Sequence, residues 1–204
     1  MGLTPVSRET VERLDILVAE LGRWQKAKNL VSEATLAEVW TRHIADSLQL
    51  FRHAPDGARR WLDLGSGGGF PGLVLGICLA ETGGHIDLVE SNARKCAFLR
   101  HVARLTGAPV TVHAERIEQA MPRFVGKVDV VTARALAPLP QLLDWCKELL
   151  RTGVTAVFPK GQHLDAELTE ASKSWTLQAL TFPSVTDPAA RILVIREAQR
   201  RADP

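Results

Sequence analysis

Residues Trp61-Leu62-Asp63-Leu64-Gly65-Ser66-Gly67-Gly68-Gly69-Phe70-Pro71-Gly72 decide the fold. An apolar strand runs straight into a glycine cluster and then into a helix. Five glycines stand within positions 65–72. Glycine is needed where the backbone must turn with φ > 0, or where a ligand has to touch backbone directly. At the carboxyl end of the first strand of an open sheet, that describes a nucleotide or nucleoside pocket. Pro71 suits the first turn of the following helix, where its missing N–H costs nothing.

Gly67-x-Gly69-x-x-Gly72 also satisfies the dinucleotide-binding pattern, which is weak on its own. Three features turn the reading elsewhere. Asp63 gives D-x-G-x-G-x-G, and a carboxylate there repels a pyrophosphate but suits an ammonium group. Glu90 ends the next strand, 21 residues after Gly69, where a carboxylate accepts hydrogen bonds from both ribose hydroxyls. Residues 1–57 precede the first strand, whereas a dinucleotide domain often begins at it. A nucleoside with a cationic amino-acid tail fits these acids: S-adenosylmethionine. The bland alternative, a tight turn with a solvated acid, does not need this density of glycine. Farther on, Ile117 and Glu118 follow the third strand, a junction that flanks the adenine in such folds, where backbone amides could bond the ring and Ile117 pack on it. A plain surface helix start accounts for that spacing equally well.

The chain has 204 residues, 46% hydrophobic and 24% charged, with a net charge of +2. That length implies one core with a small extension, burying about 70% of the unfolded surface. No apolar run approaches 18 residues, so no membrane span is expected. The N-terminus is too polar for a signal peptide, and the composition is neither collagen-like nor disordered. The small positive charge permits a nucleic-acid partner without requiring one. Cys78, Cys96 and Cys146 are odd in number and lack C-x-x-C spacing. A disulfide framework and a zinc site are therefore not expected, and the compartment reads as the reducing cytoplasm.

Before residue 58 the period is helical. Val11, Leu14, Leu17, Val18, Leu21 and Trp24 form one stripe of a helix starting at Ser7. Thr35 and Glu38 read as a capping box opening a second helix, whose apolar face carries Leu36, Val39, Trp40, Ile44, Leu48 and Phe51. Asp56-Gly57-Ala58 breaks the pattern. Strands then fit 60–64, 86–90, 110–113, 128–133, 153–158, 175–182 and 191–196, with helices at 72–82, 93–106, 138–150 and 162–173. This alternation predicts an α/β fold: a Rossmann-like, mostly parallel seven-stranded sheet covered on both faces. The last two strands have no room for a crossover helix and should pair antiparallel. The expected organisation is a helical extension over 1–57 and a catalytic domain over 58–204.

The fourth strand leads into Thr132-Ala133-Arg134-Ala135. Chemistry in an open α/β sheet sits at such strand ends. The Asn/Asp-Pro-Pro-aromatic box of amino-group methyltransferases is missing here. All three cysteines fall in helices, which disfavours a cysteine nucleophile. Arg134 remains, with no acid or histidine beside it in sequence; it reads either as a functional group or as a strand-end arginine in a salt bridge. A target that needs no base suits this emptiness. Guanine N7 carries a lone pair and no proton, so the enzyme supplies mainly position and electrostatics. An arginine fork matches carboxylates and guanine O6.

The chain resembles the RsmG (GidB) methyltransferases over nearly its whole length. The resemblance runs through Trp24-x3-Lys28-Asn29-Leu30, Arg42-His43-Ile44-x-Asp46-Ser47 and the glycine loop. It continues in Glu90-Ser91-x3-Lys95-x2-Phe98-Leu99-Arg100, Arg116-Ile117-Glu118, Thr132–Ala135 and Pro159-Lys160-Gly161. It implies a class I S-adenosylmethionine-dependent methyltransferase fold and methyl transfer to N7 of one guanine of 16S rRNA, position 527 in common RNA numbering. It implies cofactor contacts at Gly65, Phe70, Ile117, Glu118 and Arg134, which join Asp63, Gly67, Gly69 and Glu90 from the reading above. The family commonly has Asp where this chain has Glu90, and Gly-Pro-Gly where it has Gly67–Gly69. The alternative within the same fold is a methyltransferase acting on another RNA or a small molecule.

Arg42, His43, Asp46 and Ser47 crowd one helical region. They read as a polar patch docking the helix on the sheet, or as the border of an active-site mouth. In the second reading His43, Asp46 and Arg134 are the candidate catalytic residues, and His43 and Ser47 face the target base. Lys160 opens the same side as a candidate phosphate ligand or a simple turn lysine. Arg94, Lys95, Arg100 and Arg104 line one helix, and Arg23, Lys26 and Lys28 cluster on another. No RNA-binding module stands out, so recognition of ribosomal shape through scattered phosphate contacts is expected, by a monomer.

Overall fold

The computed structural model describes residues 5–28, 30 and 36–201. A seven-stranded sheet forms the centre: β1 Arg60–Leu64, β2 His85–Glu90, β3 Val110–Ala114, β4 Val130–Ala133, β5 Thr155–Lys160, β6 Trp175–Pro183 and β7 Arg191–Arg200. Their spatial order is β3-β2-β1-β4-β5-β7-β6. The pairings among β1–β5 are parallel, and β7 runs antiparallel to both β5 and β6. The final hairpin is thus antiparallel as expected, with the last strand slotted between its partner and β5. From β1 the chain winds outward to β3, then returns to β4 on the other side of β1. The order reverses between β1 and β4, and ligands of open α/β sheets bind at the strand ends of such a switch point.

The helices are α1 Arg8–Lys28, α3 Gly72–Leu79, α4 Ala93–Thr106, α5 Ile117–Ala120, α6 Leu139–Arg151 and α7 Leu164–Ser172. Between α1 and β1 lies a composite helix, α2. It is a π turn over Trp40–Ala45, an α turn over Asp46–Leu48 and a 3-10 turn over Gln49–His53. Side chains alternate across the sheet as the pleat requires. Trp61 joins a core shared with Leu14, Leu17, Leu21, Ile44, Leu48 and Phe98 from the helices of one face. Leu62 and Leu64 join the opposite core, with Phe124, Leu142, Leu143 and Cys146. The buried leucines of α1 therefore belong to the same apolar cluster as β1 and α3.

Several local expectations shift. Trp40 is 41% exposed, not part of the buried stripe. The stripe assumed a 3.6-residue period, but the helix type changes twice within α2, and π turns recur at functional sites. Val11 is exposed as well, while Leu14, Leu17 and Leu21 of the same stripe are buried. Pro71 stands at the N-cap position of α3, one residue before its first turn, and makes no side-chain cap. The capping residue Thr35 lies outside the described residues. The α4 start is capped by Asn92, whose Oδ1 accepts from the amides of Arg94 (2.9 Å) and Lys95 (3.2 Å).

Candidate active site

The turn after β1 is built from left-handed glycines: φ is +64° at Gly65, +54° at Gly67 and +91° at Gly69. A side chain at Gly67 would meet open space apart from the Gly65 carbonyl at 3.6 Å. Gly72 is tight for a different reason, because a Cβ there would lie 2.5 Å from Asp63 Oδ2. Glu90 braces the turn. Its Oε2 accepts the Gly67 amide (2.9 Å) and its Oε1 accepts the Asn92 amide (2.7 Å). The β2 acid thus holds the glycine loop in place and keeps further lone pairs for a ligand.

Asp63 is fully buried, and neither carboxylate oxygen has a hydrogen-bond partner. Burial pushes its carboxyl up to about 7, against the lowering effects of nearby Ser66, Arg134 and the Gly72 amide; Glu90 adds to the rise. The Thr132 hydroxyl, on the strand position paired with Asp63, is also buried and unpartnered. Orphaned polar groups of this kind are rare in native proteins and mark sites completed by something else. A buried acid beneath a turn that leaves open space at Gly67 is what a nucleoside with a cationic amino-acid tail needs. The residues present fit S-adenosylmethionine on these grounds.

Across the switch point, Arg134 directly follows the end of β4. This guanidinium is 20% exposed. Its Nη2 donates to His43 Nδ1 (2.8 Å), and its Nη1 donates to the Arg42 carbonyl (3.1 Å) and Asp46 Oδ2 (3.3 Å). Its carbon lies 5.5 Å from the Phe70 ring centre, and the His43 ring stacks on Phe70 at 4.6 Å. The sequence showed no acid or histidine beside Arg134; the fold brings both from α2, some ninety positions away. Because a guanidinium only donates, His43 Nδ1 must carry its lone pair. Burial, then Arg134 and Arg42, lowers the imidazole to about 4. Burial also lowers Arg134, with Asp46 and Asp63 opposing. Ala135, next in the chain, holds a left-handed φ of +50°, a conformation that costs a non-glycine residue about 1–3 kcal/mol and clusters at functional sites.

A cavity of about 830 Å³ opens between these two halves. Gly65, Gly67, Phe70, His43, Asp46, Arg134 and Lys160 line it. Asp63, Gly69, Glu90, Ser47, Ile117 and Glu118 do not. Glu90 braces the loop through the Gly67 amide, Gly69 is part of the turn itself, and Asp63 lies buried beneath it. Ser47 is 1% exposed and donates to the His43 carbonyl (2.6 Å), so its hydroxyl serves its own helix. Lys160 pairs with Glu167 at 2.6 Å, and that same carboxylate oxygen accepts the Leu139 amide (2.7 Å). The lysine clamps α6 and α7 to the end of β5. Ile117 and Glu118 open α5, where Glu118 accepts the Trp145 indole N–H. Sequence reasoning missed Gln49, Thr186 and Asp187. Gln49 opens the last turn of α2, Thr186 and Asp187 reach α2 and the cavity from the β6–β7 loop, and no local pattern marks any of them.

The family model described as rRNA small subunit methyltransferase G, GidB, matches residues 10–193. The chain belongs to this family. A "Ribosomal RNA small subunit methyltransferase G" of Methylorubrum populi is 58% identical over 200 residues, covering 98% of this chain and 93% of that protein. Among solved structures, cofactor-bound Rv0187 from MTB aligns with a TM-score of 0.61 at 16% identity, over 91% of this chain and 90% of the other. The O-methyltransferase from Bacillus cereus in complex with SAH aligns at 0.59 and 15% identity, over 96% and 93%. The fold is that of class I S-adenosylmethionine-dependent methyltransferases, and the family is one of rRNA methyltransferases. Among the described residues, no helix is long and apolar enough to cross a membrane.

Proposed function

We propose that this GidB-family chain transfers the methyl group of S-adenosylmethionine to N7 of a guanosine in 16S rRNA of the small ribosomal subunit, position 527. It acts in the cytoplasm as a monomer, and the helical segment 1–57 completes the catalytic unit by lending His43 and Asp46 to it. The cofactor supplies an electrophilic methyl on a sulfonium centre. Gly65, Gly67, Phe70 and Arg134 line the cavity that would hold it; Asp63, Gly69, Glu90, Ile117 and Glu118, outside that lining, are the remaining candidate contacts.

The observation that carries this reading is the state of the groups around Arg134. His43 is neutral, weakly basic and already accepts from the guanidinium. Asp46 accepts from Arg134, Gln49 and Thr186. A general base works best with a pKa near the operating pH, which the lowered His43 does not have, and Asp46 is engaged by three donors. An N7 lone pair asks for no base. The side chains instead fix a planar fork at the mouth of the cavity, where it orients cofactor and base electrostatically.

The test is mass spectrometry of 16S rRNA from a strain lacking the gene, with and without the gene restored. The reading expects 7-methylguanosine at that site to vanish and return. Its persistence in the deletion strain would favour a different RNA or a small-molecule substrate.

A further inference from the structure

We propose that Thr186 and Gln49 are positioning residues that aim Asp46 at Arg134, making the loop between β6 and β7 a working part of the active site. The inference rests on the catalytic reading of Arg134 and Asp46. The loop reaches α2 across more than 130 positions of sequence. Thr186 Oγ1 lies 2.9 Å from Asp46 Oδ1, and Gln49 Nε2 lies 2.8 Å from the same oxygen.

The hydrogens assign themselves. A carboxylate only accepts, so the single hydroxyl hydrogen of Thr186 goes to Asp46. Ser184, 3.0 Å away, must then donate to Thr186 Oγ1. The second amide hydrogen of Gln49 goes to Ser184 Oγ (3.1 Å), and Gln49 Oε1 accepts the Val185 amide (3.0 Å). Gln49 is 1% exposed, so this arrangement is held away from competing water. A second tether joins the same two elements: Arg42 Nη1 meets Asp187 Oδ2 at 3.0 Å.

With Oδ1 held by two donors, Asp46 cannot turn about its terminal torsion, and Oδ2 stays toward Arg134 at 3.3 Å. Catalytic groups need such supporting partners to hold productive geometry. Thr186 and Asp187 also line the cavity. The rim facing the glycine loop is therefore set by the hairpin as well as by α2.

The experiment compares full-length wild type, Thr186→Val, Thr186→Ser, Asp46→Ala and the Asp46→Ala/Thr186→Val double variant. Methyl transfer to small ribosomal subunits is measured at saturating cofactor, beside S-adenosylhomocysteine affinity and thermal midpoint. Thr186→Val, which keeps shape and loses the donor, should lower kcat about tenfold, the effect of roughly one hydrogen bond. KM for the subunit and analogue affinity should stay within about twofold, and Thr186→Ser should restore the rate. On the Asp46→Ala background the valine should cost nothing further, because the residue acts through Asp46. Gln49→Leu repeats the test from the other donor. A Thr186→Val rate within twofold of wild type, or the same tenfold loss without Asp46, overturns the inference while leaving the catalytic reading intact. A fully active Asp46→Ala removes the catalytic reading and this inference with it.

Discussion

The two walls of the cavity are made in opposite ways. The glycine loop is backbone architecture from one short stretch, with left-handed turns at Gly65, Gly67 and Gly69 braced by Glu90. The facing rim is side-chain architecture: Arg134 from the end of β4, His43 and Asp46 from α2, Thr186 from the β6–β7 loop. The first wall is suited to gripping a cofactor that every methyl transfer needs. The second is suited to arranging a particular acceptor. Binding and chemistry should therefore separate when each wall is damaged alone.

Gly67→Val should have the largest effect. A β-branched residue at φ +54° is strained, and its side chain enters the open space of the loop. S-adenosylhomocysteine binding should be lost beyond about a hundredfold while circular dichroism stays native, since about 3 kcal/mol or more of contact disappears. Unchanged binding in a folded variant would move the cofactor off this loop. If Glu90 accepts from the ribose as proposed, Glu90→Ala should weaken the analogue by about 2–4 kcal/mol, because those charge-assisted hydrogen bonds would go and the Gly67 amide loses its brace. Calorimetry showing less than about 0.5 kcal/mol would take Glu90 out of the site.

Arg134→Lys probes the other wall. An ammonium cannot serve His43, Asp46 and the Arg42 carbonyl with a flat fork, so methyl transfer should drop about tenfold or more. Arg134→Ala should be slower still. A lysine variant at full rate would reduce the arginine to a simple charge.

Smaller and graded is the effect of pH on cofactor affinity. Asp63 keeps its proton up to about 7, whereas the ordinary aspartate value is 3.8. A raised acid pKa means the folded state binds more protons in that window. Ligand-free stability should therefore fall as pH rises from 3.8 towards about 7, then level off. Binding of a cationic tail favours ionised Asp63, so analogue affinity should rise up to about tenfold per pH unit below that value and flatten above it. Asp63→Asn should flatten both curves. An affinity in wild type that ignores pH across neutrality would detach Asp63 from the ligand.

The same contrast governs what the sequence could tell. Positive-φ glycines and strand periodicity are local demands, so the loop, the place of Glu90 at the end of β2 and the order of strands and helices were legible from neighbours in the chain. The partners of Arg134 were not, because they arrive from some ninety positions upstream and only the switch-point topology brings them close. His43, Asp46 and Ser47 share one motif, yet the first two face the cavity and Ser47 bonds its own helix. The irregular turns of α2 separate them, and a 3.6-residue period does not describe such a segment. Lys160 shows the reverse case. Its place at a strand end suggested a phosphate ligand, but Glu167, seven positions on, already holds it. Gln49 and Thr186 belong to no pattern at all until the hairpin is folded against α2.

The most direct test of the central claim is the pH profile of single-turnover methyl transfer to small ribosomal subunits with cofactor saturating. With an unprotonated N7 as acceptor and a neutral His43 serving Arg134, the rate should be flat between about pH 6 and 8.5. Arg134→Lys should be slower with the same flat shape. A wild-type rate climbing about tenfold per pH unit to a plateau, with that climb lost in His43→Ala or Asp46→Ala, would reveal a general base and contradict the account.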